Sequence, residues 1–377
     1  FDPNLTYGDA GNITITTTGQ GGLTVSGGAS ITTESRAFGR AGDITIDATN
    51  ISLSRNGMGF GAIASQSVYA GDSGNIDVNA SGNIDIQDGF EVSGSTAGIG
   101  TGGNVSVAAV NTINISGDNS GIASAAPEPP QDVKDALANR FASPNFDQLI
   151  ADINAFAGFE YLPPDASMYD VLNALQLLGL INLNDPDPSA GDAGPVTVTA
   201  ATLNIDGTSR ITSSTSSDGN GGPVDIQVGS LTMSNGAEIR SRSGLINATT
   251  GLLEVGTGNG GNISITSSNG ISMQTGASIS VSSLGDGLAG NISATTNTLS
   301  MNESSITSQA EGNGDGGDIA ITAASSVVMQ NNSTISSSAL GAGLAGDISV
   351  NAGQQLNMSN SSISTEATVS DGGNIDV

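Results

Sequence analysis

The sequence predicts an all-β fold: a parallel β-helix with three strands per coil, about 27–32 residues per coil, and a small α-helical insertion. Three observations carry this. A short phrase, Gly then Asn or Asp then an alternating apolar strand, recurs at Gly11-Asn12-Ile13, Gly42-Asp43-Ile44, Gly74-Asn75-Ile76 and Gly103-Asn104-Val105. It recurs again from Gly194-Pro195-Val196 and Gly222-Pro223-Val224 onward to Gly373-Asn374-Ile375. Within the two blocks the spacing stays between 27 and 32 residues, apart from one stretch of 39. A fixed period of this size with strand alternation inside it is the mark of a solenoid. Finally, the pattern vanishes between about residues 125 and 190 and is replaced there by helical periodicity. The chain therefore divides into a first block of coils, 1–124, an insertion, 125–190, and a second block of coils, 191–377.

Each coil reads as three short strands. In the coil opened by Gly290 they are Asn291-Ile292-Ser293-Ala294, Thr298-Leu299-Ser300-Met301 and Ser305-Ile306-Thr307-Ser308, followed by a loop rich in Gly and acid. The next coil repeats the order with Ile319 and Ile321, Val327 and Met329, then Ile335 and Ser337. Period-two alternation puts these residues on one face of each strand. Three such strands make a three-sided tube whose coils stack about 4.8 Å apart, so that around ten coils give a rod on the order of 50 Å long. Each inward aliphatic side chain contributes roughly 1.5–3 kcal/mol of burial, and only the stack can supply it.

The third strand pairs an inward aliphatic with a small hydroxyl: Ile211 with Ser213, Ile239 with Ser241, Ile306 with Ser308. Stacked along the axis, these hydroxyls are expected to bond to one another. The Asn or Asp after each opening Gly is expected to form a corner ladder, its side chain capping turn backbone. The ladder comprises Asn12, Asp43, Asn75, Asn104, Asn262, Asn291, Asp318, Asp347 and Asn374; Pro195 and Pro223 interrupt it.

The insertion is bracketed by Pro127, Pro129 and Pro130 on entry and by Pro186 and Pro188 on exit. Three short amphipathic helices are expected, at Asp132–Phe141, Asn145–Phe156 and Met168–Leu180, the second with Phe146, Leu149, Ile150, Ile153 and Phe156 on one face. Half of the chain's Phe and Tyr residues lie here. They serve either as the insertion's own core or as an interaction surface, for which Phe146, Phe156, Phe159 and Tyr161 are the candidates. The longer coil around Leu245–Gly260 reads as an extended loop.

Composition narrows the function classes. Eight Lys and Arg against 36 Asp and Glu leave a formal net charge of −28. Phosphate binding needs a basic face, so nucleic acid is excluded as a partner, and an anionic membrane surface repels the chain. No apolar run reaches the length of a membrane span. The absence of His and Cys removes Ser-His-Asp and Cys-His catalysis and most transition-metal sites. No carboxylate pair stands out for glycoside cleavage, so no catalytic residue, cofactor or metal ligand is assigned. The bases are mostly isolated; Arg240 and Arg242 near Glu238 read as a strand-surface pair. Asp- and Gly-rich loops such as Glu311–Asp318 invite a calcium reading, but their spacing fits neither an EF-hand nor a nonapeptide roll. Outward Thr32, Thr212, Thr307 and Ser336 are too mixed in type for a regular ice-binding array.

The Gly-Asn/Asp-Ile-x-Ile openings, the Leu-x-Met second strands and the Ser-x-Ile-x-Ser third strands resemble the filamentous-haemagglutinin-like exoproteins of two-partner secretion. The acid-rich, cysteine-free form is similar to the large cyanobacterial versions. The resemblance covers roughly Gly11–Ser124 and Gly191–Val377. It implies a right-handed parallel β-helix, export through an outer-membrane secretion pore, and display at the surface of a Gram-negative-type cell. An absence of cysteine suits export of an unfolded chain. The family's amino-terminal secretion domain is not evident, and the helical interruption departs from its pattern; no binding residue carries over. Starting at Phe1 without a leader and ending on a fresh Gly373 opening, the sequence reads as part of something longer. The expected role is a non-enzymatic structural or adhesive rod, a component of extracellular filaments, with other chains, further copies joined head to tail, or surface glycans as partners. The rival readings are a glycan-binding or glycan-cleaving β-helix and a calcium-dependent surface-layer module.

Overall fold

The computed structural model describes residues 8–126, 146–157 and 191–377, apart from 18, 20, 36–38, 57–60, 68–70, 97–99, 216–218, 247–252 and 255–256. Among these residues the chain is a right-handed parallel β-helix of about 10 turns. The strands fall into two long sheets, one of 16 strands and one of 10. The larger sheet holds the first and second strands of every coil and the smaller one holds the third. All pairing between coils is parallel and in phase: Ile44 lies beside Ile76, Val105 beside Val196, and Ile319 beside Ile348.

Stacking in phase builds continuous apolar columns. Ile44, Ile76, Val105, Val196, Val224 and Ile263 belong to one of them, and all are essentially inaccessible to solvent. Strand Gly121–Ala126 pairs directly with Arg210–Thr215, although the insertion separates them in sequence. The two blocks of coils are thus one uninterrupted stack. In the coil of Ile348, Leu356 and Ile363, the inward side chains of the second and third strands are more exposed than in earlier coils; Met358, for instance, is 38% exposed.

One refinement concerns the corner between the first and second strands. In the first block they are separate, as in Ile76–Ala80 and Ile84–Gln87, with Asn50 and Asn83 at the corner. In the second block, as far as Ile319–Gln330, they run together as single bent strands of 11 or 12 residues, such as Val224–Ser234 and Ile263–Gln274, and they separate again as Ile348–Ala352 and Gln355–Ser359. The bend is taken up by register shifts, for example between Val228 and Ser230. A bulge lets the chain turn while most ladder bonds persist.

The region read as a long loop carries a small antiparallel pair, Leu245–Ile246 with Leu253–Glu254. Of the three helices expected in the insertion, the described residues include one, Phe146–Ala157, on which Leu149, Ile150 and Ile153 are buried. The other two, along with Phe159 and Tyr161, lie outside the described residues, and only the backbone of Phe146 and Phe156 is described.

Candidate functional site

The recurring corner residues are where polar chemistry concentrates. Each opening Gly packs its Cα against the carbonyl of the Gly one coil earlier. At Gly317 and Gly346 an added Cβ would fall well inside contact distance of the Gly290 and Gly317 carbonyl oxygens. Glycine is required there by this close approach; most residues with positive φ, such as Asn235 and Gly236, sit instead at the corner between second and third strands.

Outside the corner, most of these Asn and Asp side chains reach the backbone of the following coil. Asn12 Oδ1 accepts from the Asp43 amide at 2.8 Å, Asp43 Oδ1 from Asn75 at 2.8 Å, and Asn75 Oδ1 from Asn104 at 3.2 Å. The run resumes with Asn262 to Asn291, Asn291 to Asp318 and Asp318 to Asp347, each 2.8 Å, and Asp347 to Asn374 at 2.6 Å. Pro195 and Pro223 have no amide to offer, so the run stops between them.

A second ladder, which sequence reasoning missed, runs two residues before each opening Gly. Asp9 accepts from the Arg40 amide, Asp72 from Thr101, Asp192 from Asn220, Asn220 from Asn259 and Asn259 from Leu288. From Asp192 it runs through Asn220 and Asn259 to Leu288, past the Pro223 corner. Its signal was the acid or amide at this offset in most coils, obscured by Arg40, Leu288 and Leu344, which only donate.

Inside the corner the expected hydroxyl-to-hydroxyl column is not what forms. Ser308 Oγ donates to the Gly290 carbonyl at 2.9 Å and accepts from the Gly317 amide at 2.9 Å. Ser65, Ser241 and Ser337 bridge successive glycine corners in the same way. Coils about 4.8 Å apart hold stacked hydroxyls beyond hydrogen-bond reach, whereas the glycine backbone comes within it. Where Gly94 replaces the serine, Ser73 Oγ receives the Gly103 amide instead.

The acid-rich loop considered for calcium is engaged in the same task. Asp315 Oδ1 accepts from the Leu344 amide at 2.7 Å, and Asp286 Oδ1 from Asn313. Among the described residues no three acidic side chains converge at metal-binding distance.

Two outer surfaces remain. The first is an open groove of about 680 Å³ where first and second strands meet. Its floor is small and apolar (Ala48, Ala80, Ala109 and Ala200), and Val110 stands exposed beside it. One wall carries Asp47 and Asn79, joined by an Asn79 Nδ2 to Asp47 Oδ1 bond of 3.1 Å. On the same outer face, partial burial and then the neighbouring Asp43 and Asp47 charges push the Asp77 carboxyl above its ordinary value.

The second surface is the outer face of the third strands. Glu91, Gly121, Arg210 and Glu238 stand side by side in successive coils. The Arg210 stem lies over Gly121, where a Cβ would sit 3.2 Å from its Cγ. Burial raises the Glu91 carboxyl, and Arg210 offsets this in part. Ser93, Ala123 and Thr212 also point outward here, yet they are buried. Arg240 Nη1 pairs with Glu238 Oε1 at 3.1 Å. Its neighbour Arg242, expected to share that pair, has no hydrogen-bond or ion-pair partner among the described residues. Burial first, and then Arg240, draw the Arg242 guanidinium below the usual arginine range, and the charges of Glu238 and Glu311 offset this in part.

Compared with family models, characterised proteins and solved structures, the chain finds no match.

Proposed function

We propose that this chain is the rod of a secreted or surface-displayed structural and adhesive protein, similar in kind to the filamentous-haemagglutinin-like exoproteins, without catalytic activity. In this reading it leaves a Gram-negative-type, cyanobacterial cell unfolded through an outer-membrane partner pore and folds coil by coil outside. Further copies of the chain, other surface proteins and surface glycans are its partners, and filaments are one form it takes. The supporting observation is the use of the recurrent polar side chains. Asp, Asn and Ser, the types a carbohydrate enzyme would gather in a cleft, are tied one coil to the next by backbone hydrogen bonds at the corners. Such bonding makes a stiff object that presents long faces.

The test is twofold. Displayed on an otherwise non-adherent bacterial cell, the chain is expected to promote attachment or cell–cell aggregation. Incubated with a panel of polysaccharides, it is expected to release no reducing ends. Unchanged adherence would remove the adhesive role, and measurable release would replace the rod with the glycan-cleaving alternative.

A further inference from the structure

The outer face of the third strands carries both signs of charge, and one of its arginines has no ion pair among the described residues. Glu91, Arg210, Glu238 and Arg240 alternate in sign across neighbouring positions, and Arg242 follows, with the charges of Glu238 and Glu311 acting on it from nearby. Three of the chain's eight basic residues are gathered on this one face. The Nε atoms of Arg240 and Arg242 are both buried without a hydrogen-bond partner. The two guanidinium groups are therefore held against the strand, while one Nη of Arg240 is engaged by Glu238.

We infer that Arg242, with Arg240 beside it, receives a carboxylate of an acidic polysaccharide lying along this face. A guanidinium fork matches the two oxygens of a carboxylate and is less strongly hydrated than an ammonium group, so it gives up water more readily. The surface that continues from the arginines decides the rest of the ligand. The next three coils present Ser280, Ser282, Thr307, Gln309, Ser336 and Ser338 outward, in register and partly exposed. These groups form rows of donors and acceptors about 4.8 Å apart along the axis. They offer hydrogen bonds to sugar hydroxyls but no aromatic or aliphatic anchor, which a protein partner would need at the centre of its interface. The overall charge of −28 opposes any anion at long range. At physiological salt the screening length is about 8 Å, which mutes the distant acids; of the nearby ones, Glu238 is already engaged by Arg240, and Glu311 acts on Arg242 without an ion pair to it.

This inference deepens the adhesive reading by naming a ligand class, and it is tested separately from adhesion. Fluorescein-labelled oligogalacturonate is titrated with the intact chain at neutral pH and physiological salt, with neutral dextran oligosaccharide and poly-glutamate as comparisons. Oligogalacturonate is expected to bind and dextran not to bind. Arg242→Gln is expected to weaken binding about tenfold, and Arg242→Lys to fall between the two, because the charge remains and the fork is lost. Glu238→Gln frees Arg240 and is expected to tighten binding about two- to threefold. Arg40→Gln, at a different corner, leaves it unchanged. The conservative Arg242→Lys variant decides the matter if Arg242→Gln does not fold. The inference is overturned if oligogalacturonate fails to bind, if the Arg242 variants bind it as the parent chain does, or if dextran or poly-glutamate binds equally well. A chain that binds oligogalacturonate through Arg242 yet promotes no attachment would remove the adhesive role and leave this site standing.

Discussion

Two junctions between coils show what holds the stack and what only tunes it. At the junction from Gly317 to Gly346 the corner is secured on both sides. Ser337 bridges the two glycines from within, and Asp318 and Asp315 cap the Asp347 and Leu344 amides from outside. At the seam from Gly103 to Gly194, where the insertion leaves and returns, neither outer ladder is complete among the described residues. Asn104 faces Pro195, which has no amide, and Thr101 caps nothing in the next coil. Ser124 still receives the Gly194 amide at 2.8 Å, but its own proton goes to Gly94 at 3.2 Å. The polar connection moves to the second strand, where Asn204 Nδ2 donates to Asn114 Oδ1 across a gap of 90 residues. The apolar register is the same at both junctions: Val105 on Val196 and Ile122 on Ile211 at the seam, Ile319 on Ile348 and Ile335 on Ile363 elsewhere. The columns therefore set the register, and the corners adjust its strength.

The largest expected effect tests what both junctions share. Gly346→Ala drives a Cβ into the Gly317 carbonyl, and Gly194→Ala does the same to the Gly102 and Gly103 carbonyls. Each is expected to cost about 3 kcal/mol or more, since backbone rather than a side chain must give way. Urea unfolding midpoints would check this, and equal tolerance of both substitutions would remove the close-approach account.

Next comes the inner hydroxyl. Ser337→Ala leaves a buried amide without its acceptor and is expected to cost about 2 kcal/mol. Ser124→Ala is expected to cost less, because one of its two bonds is already long. The reverse order would mean that the seam depends on Ser124 more than its geometry implies.

A smaller effect is pH-dependent and lies in the coils just before the seam. Burial raises the Glu91 carboxyl above 4.5 in the folded chain. Between 4.5 and that higher value the folded state binds more protons than the unfolded state. Stability therefore falls as pH rises through this window and levels off above it. Glu91→Gln is expected to flatten the fall and to leave the chain more stable at neutral pH; melting curves across that pH range would show it.

The smallest change sharpens the comparison directly. Pro195→Asn supplies the amide that Asn104 lacks, a gain of about 1 kcal/mol, offset by roughly 0.4–1 kcal/mol of lost proline rigidity. The expected signature is slower hydrogen exchange at Val105 and Val196 with little shift in the overall unfolding midpoint. Unaltered exchange there would mean that Asn104 takes no part in the corner.

Much of the fold was legible because a stacked coil reads its own period. Ile or Val at every coil opening, Leu-x-Met in the second strand and Ile before Ser in the third mark the inner face, and alternation leaves them one orientation. Less legible were contacts between coils. The sequence of one coil contains Ser308 and Gly317 without saying that they bond, and a reader sees hydroxyls in a column before seeing the backbone between them. The ladder of Asp192, Asn220 and Asn259 was obscured because its acceptors serve the next coil's amide, whatever side chain that residue carries. Arg242 was read as sharing the Glu238 pair for the same reason: its neighbours Ser214 and Ser282 come from other coils, and a strand read alone pairs it with Glu238.

By itself, then, the sequence determined the period, the inward face of each strand and the places where the pattern breaks, since these follow from the spacing of residue types along one chain. Only the tertiary structure decided which amide each Asp or Asn caps, which hydroxyl holds which glycine, and which arginine is left without a partner. Those outcomes depend on the roughly 4.8 Å step between coils, which brings residues about 30 positions apart in sequence into contact.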